Sequence, residues 1–202
     1  LLPKHHSVDR HEYFVSNYLL SADVVINMPK PKTHRKAGIT GALKNMVGIN
    51  VRKEFLPHHT MGSKDSDVGD EYLKEDKMKA LSSWFKDKQN YAMSTGKYVQ
   101  AQILKTMARV FFYADRAISN DHFSQGSWYG NETISRTICD LNKILLFADK
   151  KGIMKDQPQR RLFIVADMVV SGEKEGPIEP SKKDVGIIAL ADNSVVFDEC
   201  IA

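Results

Sequence analysis

Between Val24 and Lys53 the chain carries Lys30, Lys32, Arg35, Lys36, Lys44, Arg52 and Lys53, with His34 among them and neither Asp nor Glu. Seven fixed positive charges without a local counter-charge attract an anion or must find carboxylates elsewhere in the fold. In the segment 38–48, Lys44 stands beside Asn45, and a point charge next to a carboxamide suits a carboxylate or a phosphate. Gly38 and Gly41 would let the backbone approach such a ligand closely. His34, set among cations, would have its protonated form disfavoured, which suits a general base or a metal ligand near neutral pH. The plain alternative is a solvated cationic loop leading into a short helix.

Further candidates follow along the chain. His58 and His59 come after Pro57, and adjacent side chains diverge, so one of the two could join His34. His5, His6 and His11 form an imidazole-rich lead-in without the carboxylate or cysteine set of a metal site, and His122 carries no signal. Arg136 and Asp140 lie four apart on a helix, where an intrahelical ion pair is the plain reading. Gln159, Arg160 and Arg161 precede a strand that should end at Asp167, with an acidic, glycine-containing turn over 171–177. Carboxylates at the C-terminal end of a strand are where α/β folds place catalytic groups. Glu173 and Glu175 could hold a divalent metal such as Mg²⁺ or pair with the lysines of the basic segment; otherwise they belong to a solvated turn.

The elements that must position these residues are legible from periodicity. An apolar run over 24–28 reads as a buried strand, Pro29 and Pro31 as a rigid turn, and 38–48 as a helix after a loop. A helix is expected over 13–20. Charged, amphipathic segments follow at about 71–89 and 97–119, the second with Val99, Ile103, Met107, Val110, Phe111 and Ala114 at helical steps. A helix over 132–148, strands over 162–166 and 185–190 buried on both faces, and a further strand at 195–197 complete the pattern. The expectation is an α/β fold: a mixed or mainly parallel sheet flanked by helices, in one domain spanning 1–202 with a helical insertion at about 61–127.

Composition narrows the function classes. Of 202 residues 42% are apolar, enough for one sizeable core, and the net charge of +4 is concentrated near the N-terminus. A local basic site without interleaved aromatics makes nucleic acid an unlikely partner. The two cysteines, Cys139 and Cys200, give neither a disulfide framework nor an iron–sulfur cluster within this chain. Low cysteine usage fits a reducing, cytoplasmic setting, and no apolar run is long enough to span a membrane. The chain opens on Leu1-Leu2-Pro3 without an initiating Met, so it is expected to be a piece of a longer protein.

The run Ala22-Asp-Val-Val-Ile-Asn-Met-Pro-Lys-Pro-Lys-Thr-His34 and then Ala42-Leu-Lys-Asn-Met-Val-Gly48 resembles the bacterial and archaeal domain of unknown function family 362 (DUF 362). Trp128, Arg136-Thr-Ile-Cys-Asp-Leu-Asn142, Gln159-Arg160 and the stretch 167–177 are similar to that family's C-terminal half. The resemblance covers about two thirds of the chain and leaves out 61–127, as well as a Lys-Pro-Asn strand usual at the family's N-terminal side. It implies an iron–sulfur association, through a missing segment or a partner redox protein since this chain lacks the ligands.

Residues and resemblance together point to an enzyme domain that binds a small anionic substrate or cofactor in a basic cleft. His34, Lys44 and Asp167 form the expected catalytic set. Lys30, Lys32, Thr33, Asn45, Arg136 and Arg160 are the expected ligand-binding residues. His58, His59, Glu173 and Glu175 are the expected metal ligands. The reading from another class is a non-catalytic or electron-transfer accessory module that docks an acidic partner through the basic strip.

Overall fold

The computed structural model describes residues 5–7, 9–66, 69–119, 123, 125–128 and 130–202; His122 lies outside them. The chain forms two compact units, His59–Trp128 and Leu2–His58 with Tyr129–Ala202. No described helix is long and apolar enough to cross a membrane.

The discontinuous unit is the α/β one. It contains a two-stranded ribbon, β1 (His6–Ser7) and β2 (Arg10–His11), then α1 (Asn17–Ser21), β3 (Val24–Asn27), β4 (Lys32–His34), β5 (Gly38–Thr40) and α2 (Ala42–Asn45). Its sheet is mixed and is organised around a strand from late in the chain, β6 (Arg161–Glu173). On one edge of β6 lie β3 and β4, both parallel to it; β5 returns antiparallel to β4, and β7 (Ser181–Ala191) pairs antiparallel along the other edge.

Pro29 and Pro31 explain why β3 and β4 are separate strands. Neither can donate to the ladder, but both carbonyls accept from β6, from Asp167 N and Gly172 N at 3.2 Å each. Between the pairs Asn27–Ile164 and Lys32–Gly172, β6 advances eight residues while the proline side advances five. The extra residues are on β6, whose ladder with β7 is irregular between Met168 and Val170, and β4 meets β6 at Lys32 while pairing with β5 over its length.

Alternation along β6 buries Leu162, Ile164, Ala166 and Met168 on one face. That face is covered by α2, by α5 (Thr133–Phe147) and by α6 (Ser194–Ile201), through Ala42, Leu145 and Phe197. Ile134, Leu141 and Leu145 of α5 are wholly buried, each worth about 1.5–3 kcal/mol of apolar transfer. The opposite face is open: Ile26 is 61% and Leu190 75% exposed. The expectation of strands buried on both faces therefore fails, because every helix of this unit that packs on β6 lies on the same side. The strand expected at 195–197 is also a helix, since Asn193 accepts hydrogen bonds from Val195 N and Val196 N and so caps α6.

The unit His59–Trp128 is a helical hairpin of α3 (Lys77–Ser94) and α4 (Tyr98–Ile118), preceded by a 3₁₀ turn at Lys64–Ser66. Asp76 caps α3 by accepting from Met78 N and Lys79 N, and Gly96, at φ 74°, turns the chain into α4. Phe85 and Phe111 stack between the helices with ring centroids 5.5 Å apart.

Candidate functional site

The loop expected after Pro31 is a tight hairpin. Lys32 pairs with Thr40 and His34 with Gly38, whose φ of 73° closes the turn. His34 is buried, and its Nδ1 accepts from Lys36 N and Ala37 N at 3.1 Å each. Both amides are donors, so Nδ1 is unprotonated and the hydrogen of the neutral ring resides on Nε2. Burial, followed by the charges of Lys44, Lys36 and His58, pushes the imidazole down to about 4. His34 is therefore a neutral ring offering one N–H, with its basic nitrogen already engaged.

Lys44 projects from α2 and is half-buried. Burial first, and then the ammonium of Lys32, lowers its pKa. Among the described residues neither lysine has a carboxylate at ion-pair distance, whereas Lys30, Lys182 and Lys183 do. His58 completes the neighbourhood. Burial holds it below the ordinary histidine range, Lys36 and Lys44 add to the shift, and its ring hydrogen-bonds Leu56 O at 3.1 Å. The result is two lysines beside two imidazoles held below their ordinary range, with no acid at ion-pair distance of either lysine among the described residues.

The start of α2, where strand, turn and helix suggested an anion would sit, already holds one from the chain itself. Asp198 of α6 accepts from Ala42 N at 2.5 Å and Leu43 N at 2.9 Å, and burial raises its pKa against the lowering effect of those bonds. Gly41 does permit a close approach, but the group that approaches is the Asp198 carboxylate. Asn45 is likewise engaged: its Nδ2 donates to Asn27 Oδ1 at 2.7 Å, and the buried Asn27 donates onward to Ala42 O at 2.8 Å. Asn27 and Asp198 escaped the sequence reading. An Asn closing an apolar strand and an acid in the last helix are faint signals alone.

The other candidates are distributed. Asp167 lies within β6, which continues to Glu173, and it pairs with Lys30 at 2.8 Å on the surface. Thr33 Oγ1 donates to Lys174 O at 2.8 Å, tying the hairpin to the turn after β6. Glu173 pairs with Lys183 at 3.2 Å, and Glu175 is exposed. Arg136 pairs with Glu132 at 2.6 Å, not with Asp140, which instead accepts from Tyr13 Oη at 2.8 Å. Arg160 is buried with its guanidinium on the carbonyls of Leu145, Leu20 and Ala148, so its donors serve the end of α5 and not a ligand. His59 belongs to the helical unit, 3.8 Å from Glu71. Among the described residues no three His, Cys, Asp or Glu side chains gather in a way that could hold a metal, so the set of His58, His59, Glu173 and Glu175 is not assembled. Cys139 and Cys200 are free and exposed, too few for a four-thiolate cluster.

A cavity of about 420 Å³ opens beside the hairpin, lined by Lys32, Thr33, Ile39, Met168, Ser171 and Glu173 among others. Ser171 Oγ is buried there without a hydrogen-bond partner. Lys32 thus belongs both to this cavity and to the surroundings of Lys44.

No curated protein and no solved structure matches this chain. One family does, and the match runs through the helical unit as well as the α/β unit. With residues 3–202 matched, the chain belongs to the family described as Domain of unknown function (DUF362).

Proposed function

We propose that the α/β unit binds a small anionic ligand, a substrate or cofactor bearing phosphate or carboxylate, between Lys32 and Lys44, with His34 Nε2–H as a neutral donor. The observation that carries this reading is Lys44. A half-buried ammonium, disfavoured by burial and by a second lysine and lacking a carboxylate at ion-pair distance among the described residues, is a standing cost that an anion would relieve. His34 supports it as a donor. With Nδ1 engaged by two amides, proton abstraction by this histidine is disfavoured, so the chemistry resembles anion holding more than base catalysis.

Isothermal titration calorimetry with inorganic phosphate, pyrophosphate and citrate tests the reading. Wild-type protein should bind at least one of them. Lys44→Met should weaken that binding about tenfold or more while raising stability by about 1 kcal/mol, because it replaces a buried uncompensated charge with an apolar chain. Failure of all three anions to bind, or unchanged affinity in Lys44→Met, would refute it.

A further inference from the structure

We infer that α4 is a docking surface for an acidic amphipathic helix of a partner protein. The inference is independent of the anion site and rests on the surface pattern of one helix.

Along α4, Val99, Ile103, Thr106, Val110, Tyr113 and Ala117 recur at alternating steps of four and three, and all are exposed. Val99 is 79%, Ile103 61%, Val110 55% and Tyr113 64% exposed. This is the a/d spacing by which one helix packs against another. The buried residues of α4 are Ala101, Ala108 and Asp115, seven apart, at the heptad position diametrically opposite that seam. The helix therefore rests on its own unit with one side and presents a continuous uncharged seam on the other. At 21 residues it is about 30 Å long, room for roughly three heptads of contact.

Charge selects the occupant. Of the two rows flanking the seam, one carries Gln102, Arg109 and Arg116, and the other Gln100, Met107 and Ala114. Among the described residues neither arginine has an ion-pair partner, and the one acid on α4, Asp115, is buried. A second copy of α4 would bring no exposed carboxylate to those guanidiniums. A helix with an apolar seam and Glu or Asp at the flanking positions would satisfy both. Met107 and Ala114 continue the apolar surface on one side, while on the other Arg109 and Arg116 stand one heptad apart, the spacing at which a partner helix presents its flanking carboxylates.

The test uses the whole chain and two fluorescein-labelled peptides of three heptads each, with Ile and Leu at a and d. One carries Glu at e and g, the other Lys. Fluorescence anisotropy should show the Glu peptide bound about tenfold or more tightly than the Lys peptide, with affinity falling as salt rises. Ile103→Glu and Val110→Glu should each abolish binding with helix content unchanged by circular dichroism, since both positions are exposed. The double change Arg109→Glu with Arg116→Glu should reverse the preference towards the Lys peptide. Equal binding of the two peptides, binding of neither, or binding unaffected by Ile103→Glu overturns the inference. So does a dimer in sedimentation velocity that Ile103→Glu dissociates, or retention on phosphatidylserine vesicles in place of peptide binding.

Discussion

The carboxylate of Asp198 occupies the space that a Cβ on Gly41 would need. That contact joins α6, near the end of the sequence, to the start of α2, and it depends on Gly at one partner and an acid at the other. Gly41→Ala should cost about 1–3 kcal/mol as the carboxylate is displaced from the amides of Ala42 and Leu43. Asp198→Ala should cost about 1–2 kcal/mol through loss of the cap. In the Asp198→Ala background, adding Gly41→Ala should cost less than about 1 kcal/mol. A urea double-mutant cycle measures this coupling, and strict additivity would disprove the contact.

Stability should decline in acid through His34. The unfolded imidazole takes its proton near 6.5, whereas the folded one resists until about 4, so the unfolded state binds more protons between those values. The contribution is complete above pH 6.5 and is lost as pH falls towards 4, on the order of 3 kcal/mol in all. His6 and His58, also lowered by burial, act in the same direction. Urea titrations at about pH 7.5 and 4.5 should show a smaller pH-dependent difference in His34→Gln than in wild type; an equal difference would sink the assignment.

Asn45 and Lys44 are neighbours with separable roles. Asn45→Ala removes the hydrogen bond to Asn27 and bares an acceptor within the core, so it should cost about 1–2 kcal/mol while leaving phosphate affinity within about twofold. Lys44→Met should behave oppositely, weakening anion binding without loss of stability. Calorimetric binding and thermal melts on both variants decide it; loss of affinity in Asn45→Ala would make the carboxamide a ligand contact.

Arg160 should be the most sensitive basic residue in the chain and contribute nothing to ligand affinity. Arg160→Leu leaves the carbonyls of Leu20, Leu145 and Ala148 without donors and should cost about 3 kcal/mol or more. Arg160→Lys should rescue little, because one ammonium cannot reproduce the geometry of a fork. Expression level and denaturation midpoint report the loss, and a stable Arg160→Leu protein would contradict this account.

Much of the fold is written in local pattern. The strand at 24–27 and the helix at 133–147 follow from hydrophobic period; the turn expected at Pro29 and Pro31 is instead an extended break between two strands that both run parallel to β6, and the chain reverses only at 35–37. The exposed sheet face was not legible, because Ile26, Ile188 and Leu190 read as apolar whether or not anything covers them. The stripe on α4 was recognised as helical, but spacing alone could not say that Val99 and Ile103 face outward while Ala101 and Ala108 face in. At the site, the uncompensated charge of Lys32 and Lys44 was visible as an absence of acids nearby in sequence. The pairing of Lys30 with Asp167 and the capping by Asp198 were not, since each joins residues more than 130 positions apart.

The place of β6 in the sequence also sets an order of assembly. β3 has no strand to join until Arg161–Glu173 exists, β4 has only its hairpin partner β5, and α2 lacks the Asp198 cap until α6 exists. A ribosome will have released Lys32, His34 and Lys44 long before the residues that position them. β6 and β7, close in sequence, can form first as a hairpin, onto which the N-terminal strands then close a loop of well over a hundred residues. Until then the cationic segment has only the local β4–β5 hairpin to order it, so the arrangement of Lys32, His34 and Lys44 is completed late in folding.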